Sequence, residues 1–205
     1  MEYFAQAAAH RRRIADLLDT LDADQLATPS LCEGWTVQEV AGHLTSGWNI
    51  GMPRFIWGVI KARGDFHAAN IKFGKKLGAR PAAEIAADLR KNADDTFTPP
   101  GIGSEAPLSD AWIHAQDMFV PLGIDYPVDL DDVMPIADLM VDPKSRRVRG
   151  TDLDEKYSWR ATDTDWSHAN DGKPEVTGPM AAIVLALYGR GNCWNVLEGP
   201  DGTVI

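Results

Sequence analysis

Asp110, His114 and Asp117 are spaced i, i+4 and i+7, so on a helix their side chains share one face. Around them stand Trp112, Ile113, Ala115, Met118, Phe119 and Val120, with Gln116 the only polar interruption. A helix over Leu108 to Val120 that is apolar nearly all round is predicted to be buried, and the polar stripe with it. A buried carboxylate or imidazole must be paired, hydrogen-bonded or metal-bound, because an isolated buried charge costs too much. With a second histidine from another helix, Asp110 and His114 make an N/N/O donor set that leaves one position open, the makeup of a catalytic zinc site. His43 is the candidate for that second histidine. Alone, it reads as a boundary histidine meeting water or a backbone carbonyl; the stripe on the other helix is what makes it a ligand candidate.

Several elements must position these residues. Thr36 followed three residues later by Glu39 is a capping box, which predicts a helix beginning at Thr36. Val37, Val40, Ala41, Leu44 and Trp48 then form its apolar face, and His43 falls roughly 120° from the centre of that face, at its flank. Gly51, Met52 and Pro53 interrupt this helix, with a kink or short break expected near Pro53, before helix resumes over Arg54 to Ala62. A first helix is expected over residues 2–22, with Ile14, Leu17, Leu18 and Leu21 inward. A third helix is expected to open with Pro81 at N1 and run through Asn92, with Ile85, Ala86 and Leu89 inward. Asp22 to Gly34 reads as a loop, and Gly64 to Arg80 as a lid-like or irregular connection with some helix, in which His67 is exposed or structural. Four principal helices by residue 122 predict an antiparallel bundle, an architecture that builds metal sites from facing helices.

Another helix is expected over Asp131 to Val141, with Pro135 tolerable only early in it. The pattern changes after residue 143. Tyr157, Trp159 and Ala161 alternate with polar residues as in a half-buried strand, Pro174 to Gly178 reads as its partner, Pro179 opens a helix through Arg190, and Gly202 to Ile205 reads as a last strand. The expected fold is therefore mainly α: a helical bundle over 1–143 and a small α+β domain over 144–205. His168 is expected in a polar loop with Asp163, Asp165 and Ser167 as local partners. Arg190, just after Gly189, has two readings: a cation placed against the helix dipole, or a guanidinium clamp for a substrate carboxylate.

The chain has 205 residues, with 20 Lys and Arg against 30 Asp and Glu, a net charge of −10. That balance argues against nucleic acid as a partner, and the basic runs Arg11 to Arg13 and Arg146, Arg147 and Arg149 read as solvated surface. Cys32 and Cys193 are too few for a disulfide framework and fit a reducing cytosol. Cys32 precedes a helix start but reads as a small buried hydrophobe at a turn. No stretch is long and apolar enough for a membrane span, and no secretory leader is legible, so a cytoplasmic protein is expected. Oligomeric state is not encoded in any readable pattern.

Ser30-Leu31-Cys32-x-Gly34-Trp35-Thr36-Val37-x-x-Val40-x-x-His43-Leu44 resembles the signature of the mycothiol-dependent maleylpyruvate isomerase family, a branch of the DinB-like metal-binding four-helix bundles. Ile113-His114-x-Gln116-Asp117 followed by Pro121-Leu122-Gly123 is similar to that family's second motif. Ala161-Thr162-Asp163-x-Asp165-Trp166-Ser167-His168, then Gly178-Pro179 and Leu187-x-Gly189-Arg190, resembles its small C-terminal domain. The resemblance implies a divalent ion, of the zinc type, on His43, Asp110 and His114, with Asp110 standing where the family usually has Glu, one methylene longer. Asp117 then reads as a hydrogen-bond partner of a ligand imidazole or as a plain buried ion-pair partner.

Two functions follow as expectations. The first is a metal-dependent enzyme that uses a low-molecular-weight thiol such as mycothiol to isomerise, or transfer to, a small electrophile. The second is a noncatalytic protein that binds a metal or an apolar ligand, with a degenerate site, which the shorter Asp110 favours.

Overall fold

A computed structural model describes residues 2–61, 63, 66–98, 103–147 and 151–199. The described chain is mainly helical with one small three-stranded sheet, and it divides into two compact units. The helical unit comprises Phe4–Thr96 and Asp110–Tyr126. It contains α1 (Phe4–Leu18), α2 (Ala23–Leu26), α3 (Val37–Leu44), α4 (Ser46–Asn49), α5 (Met52–Lys61), α6 (Phe66–Gly78), α7 (Ala82–Lys91) and, from Asp110 onward, α8 (Glu105–Phe119). The α+β unit holds Phe97–Ser109 and the chain from Pro127.

In the helical unit, α1 packs on α7, and α3 packs on both α6 and α7. The inward stripe of α1 is Ala7, Ala8, Arg11, Ile14, Ala15 and Leu18. Arg11 is therefore not on a solvated face, in contrast to the reading of the basic run. Only 8% exposed, it donates from Nη1 to the carbonyls of Ala93 (2.8 Å) and Asp95 (2.9 Å) and lies 5.4 Å from the centre of the Trp48 ring. The physical reason is position: four residues after Ala7 and three before Ile14, residue 11 faces inward whatever its charge. Burial lowers the pKa of this guanidinium, while the charges of Asp110, Asp95 and Asp94 act the other way.

The capping box forms as the spacing predicts, with Glu39 N donating to Thr36 Oγ1 at 3.2 Å and Thr36 N donating to Glu39 Oε2 at 3.0 Å. A second capping box, Asp22 with Gln25, starts α2 inside the segment expected to be loop. The helix after Thr36 stops sooner than its apolar pattern suggests. Thr45 caps α3, its hydroxyl donating to Gly42 O at 2.8 Å and accepting from Arg80 Nη2 at 2.9 Å. Trp48 consequently leaves the α3 face and donates from Nε1 to Asp95 Oδ2 at 2.6 Å.

The largest departure from the sequence reading lies in the segment read as a lid-like or irregular connection with some helix, where Phe66–Gly78 is one continuous helix. This helix, α6, is thirteen residues long and lies against α3 so closely that a Cβ on Gly42 would sit 2.3 Å from Gly78 N, and one on Gly78 2.6 Å from Glu39 Cα. These two glycines are the contact surface between the helices. Pro81 is the N-cap of α7 rather than its first helical residue, and Ile85, Ala86 and Leu89 are fully buried.

The α+β unit contains α9 (Leu130–Val141), α10 (Leu153–Lys156), β1 (Ser158–Ala161), β2 (Ser167–His168), β3 (Glu175–Gly178) and α11 (Met180–Leu187). The sheet order is β2-β1-β3, with β1 antiparallel to β2 and parallel to β3. His168 is thus a strand residue opposite Trp159, not a loop residue; two residues are too short a run to show a period. Pro135 is the sixth residue of α9, deeper than its ring chemistry favours, and α9 packs against the apolar α11. Asp163 Oδ1 accepts from the Met180 amide at 2.9 Å and so caps α11. The final strand expected at 202–205 lies outside the described residues, as do the side chains of His67, Arg146, Arg147, Arg149 and Cys193.

The α3–α6 seam generates a stability test. Gly42→Ala raises intrinsic helix propensity by about 1 kcal/mol but forces the two backbones apart, so a net loss of roughly 1–3 kcal/mol or more is expected in urea unfolding. Gly47→Ala, where an added Cβ meets nothing within 4 Å, should stay within about 1 kcal/mol of the parent.

Candidate metal centre

His43 enters the site from the flank of α3. The capping box sets where the helix starts, and burial of Val37, Val40, Ala41 and Leu44 sets its rotation, leaving the His43 side chain 14% exposed. On α8 the stripe is graded rather than uniformly buried. The Asp117 side chain is fully buried and that of His114 is 10% exposed, whereas Asp110 is 51% exposed. Asp110 thus stands at the rim although Leu108, Ser109 and Ala111 on either side of it are buried. Val120, expected inward, is also exposed.

The three candidate ligands converge. Asp110 Oδ1 is 3.7 Å from His114 Nε2 and 4.0 Å from His43 Nε2, and one potential donor atom from each of the three residues lies within 4.8 Å of the others. Two ligands of a tetrahedral ion with bonds of ~2.0 Å are roughly 3.3 Å apart, so the Asp110 carboxylate needs to close on each imidazole by less than an ångström. The imidazole rings meet edge to face, with centroids 5.1 Å apart and an interplanar angle of 81°.

The second test of fit is the proton inventory of the rings. His114 Nδ1 is 2.8 Å from Asp117 Oδ2. A carboxylate only accepts, so Nδ1 carries the proton of this bond and Nε2 is the nitrogen turned toward Asp110, the arrangement in which carboxylates orient metal-ligating histidines. Burial, with a smaller push from the nearby His114, lowers the His43 pKa from 6.5 to about 4, while Asp110 and Asp117 act in the opposite direction. At neutral pH His43 is an uncharged imidazole, the form that binds metals. The donor set and its protonation therefore fit a divalent ion.

Sequence reasoning gave no role to two neighbours. Trp35, 5% exposed, has its ring centroid 4.8 Å from that of His43 and 6.3 Å from that of His114. Gly74 of α6 lies behind it: a Cβ there would be 3.0 Å from Trp35 Cζ2 and 3.4 Å from His43 Cβ. The available signal was the Gly34-Trp35 pair just before the capping box; for Gly74 there was none, since its partners are distant in sequence. Arg190 belongs to the α+β unit. It follows Gly189, whose φ of +76° ends α11, and its Nη1 donates to Tyr188 O at 2.9 Å.

The fold is mainly helical, and its helical unit gathers two histidines and a carboxylate from two of its helices. Residues 7–98 match the family described as mycothiol maleylpyruvate isomerase N-terminal domain. That is the family which the motif from Ser30 to Leu44, inside the matched segment, resembles. The fold of the whole chain is similar to the crystal structure of the mycothiol-dependent maleylpyruvate isomerase, with a TM-score of 0.63 and 18% identity over 98% of this chain and 93% of that one. A histidine-to-alanine mutant of that enzyme matches with the same TM-score and coverage at 16% identity. No curated protein matches this sequence. Among the described residues no helix is long and apolar enough to cross a membrane.

The pKa of His43 makes the metal-free protein sensitive to acid. Between about 6.5 and about 4 the unfolded chain carries a proton on residue 43 that the folded chain does not. Stability therefore falls as pH drops through that window and levels off below it for this group. Urea unfolding of chelator-treated protein should show a steeper pH dependence than His43→Gln, by up to one proton, or about 1.4 kcal/mol per pH unit.

Proposed function

We propose that this protein is a cytoplasmic, metal-dependent enzyme that uses mycothiol or a similar low-molecular-weight thiol to isomerise, or to transfer to, a small electrophile. The observation that carries this reading is the convergence of His43, Asp110 and His114 in a chain whose N-terminal segment matches the mycothiol maleylpyruvate isomerase family. These three residues would hold a divalent ion, with zinc the best match to two imidazoles and a carboxylate. When bound, the ion supplies Lewis acidity that favours a thiolate, and the thiol supplies a nucleophilic sulfur able to add to a small electrophile and leave again.

The chain's own residues do the rest. Asp117 accepts from His114 Nδ1 and keeps the opposite lone pair turned inward. Burial keeps His43 neutral. Trp35 covers both rings, excluding water on that side, while the half-exposed Asp110 marks the side from which a thiol and an electrophile reach the cluster. Arg190 is assigned to a substrate carboxylate, because a guanidinium fork suits that group and its bond to the Tyr188 carbonyl restrains its direction.

Two outcomes are expected. Cobalt-substituted protein should bind close to one ion per chain and develop a sulfur-to-metal charge-transfer band on addition of mycothiol, and His43→Ala or His114→Ala should abolish stoichiometric binding while leaving helical content largely intact. Full occupancy in either variant overturns the ligand assignment; metal binding without the band at saturating thiol overturns the thiol-dependent reading and favours a noncatalytic binder. For the carboxylate, Asp110→Glu should preserve or tighten metal binding, whereas Asp110→Asn should weaken it by removing an anionic donor. Equal affinities for all three forms would place residue 110 outside the coordination shell.

A further inference from the structure

The two candidate imidazoles are held in different ways. His114 is oriented by a hydrogen bond from Nδ1 to the buried Asp117. His43 Nδ1 is buried and has no hydrogen-bond partner among the described residues, although a metal-ligating histidine ordinarily uses its second nitrogen for that purpose. Something other than a hydrogen bond must set the direction of the His43 ring. The candidates are the side chains packed on it, and the indole of Trp35 is the nearest ring, 4.8 Å away between centroids. The same indole lies nearly parallel to the His114 ring, at 6.3 Å and 29°, so a single rigid side chain contacts both imidazoles.

We propose that Trp35 is a positioning residue for the His43–Asp110–His114 centre, presetting both imidazoles for ligation, and that Gly74 is the notch that seats it. The inference rests on the metal reading of the cluster. Trp35 is itself held by packing, since its Nε1 is buried without a hydrogen-bond partner among the described residues. A buried indole N–H of that kind costs stability, and a plain apolar wall would be built at lower cost from leucine. What leucine lacks is a flat, rigid surface wide enough to meet two rings. Gly74 completes the arrangement from α6: a Cβ there would come 3.0 and 3.1 Å from Trp35 Cζ2 and Cη2 and 3.4 Å from His43 Cβ. Any side chain at residue 74 therefore pushes the indole, and with it the His43 ring, out of place.

The test is metal affinity, read without reference to turnover. Zinc and cobalt dissociation constants are measured by competition with a chromophoric chelator for the parent, Trp35→Ala, Trp35→Phe and Gly74→Ala, together with the cobalt visible spectrum and helical content of each. Trp35→Ala should weaken binding roughly tenfold to hundredfold and shift the cobalt bands, as loss of an orienting neighbour does. Trp35→Phe, which keeps a flat ring, should recover most of the affinity. Gly74→Ala touches no ligand atom and raises helix propensity, yet should weaken binding in the same direction as Trp35→Ala. It also carries the test if Trp35→Ala does not fold. Parent protein that binds the ion, with Trp35→Ala or Gly74→Ala of unchanged affinity and spectrum, overturns this inference and leaves the metal reading standing. Parent protein that binds neither ion overturns both.

Discussion

A carboxylate fully withdrawn from water is the constraint on which the site depends. Asp117 sits among the apolar residues of α8, and its charge is tolerable there only with a hydrogen-bond donor. His114, one turn earlier, supplies it. That bond fixes the tautomer and the direction of the imidazole, so Nε2 points where Asp110 and His43 also point. The backbone of the same residue has a second duty: the Asp117 carbonyl accepts from the Leu31 amide at 3.1 Å. This ties the loop before α3 to α8, and the loop leads directly to Trp35 and the capping box that sets the start of α3.

The electrostatics follow a gradient across one cluster. Asp117 is buried, His114 and His43 nearly so, and Asp110 opens to solvent. The interior thus holds the neutral His43 ring, the His114 ring and the Asp117 carboxylate bonded to it, while the Asp110 carboxylate stays at the rim, where water screens it. The same economy governs Arg11, whose buried guanidinium lies on backbone carbonyls and the Trp48 ring and feels the charge of Asp110 from within the helical unit.

Helix α6 connects packing to the site. Glycines at 42 and 78 let its backbone touch α3, and a helix held that close presents Gly74 to Trp35 and His43. Side chains at those glycines would force a wider separation and remove the support behind the indole. The close packing of α3 and α6 and the placement of the His43 ring are one steric arrangement.

Local patterns alone carried much of this protein. The Thr36–Glu39 capping box, the flank position of His43, the i, i+4, i+7 stripe on α8 and the alternation around Trp159 all depend on residues within a few positions of each other, where helix and strand periods dictate direction. The mainly helical class with a small sheet followed from them, and the motif from Ser30 to Leu44 lies in the segment that matches the family. Other features were illegible because their partners are far apart in the chain. α6 looked irregular because Gly74 and Gly78 are poor helix formers in isolation; only contact with α3 offsets their low propensity. Thr45, the C-cap of α3, also accepts from Arg80, thirty-five residues away. Arg11 followed the α1 period but, as a cation, was read as solvated until its carbonyl partners near residue 94 were in place. Residue spacing determined which groups could share a helix face, whereas the meeting of α3 with α8, and of Trp35 with Gly74, was decided by the packing of side chains that no local period relates.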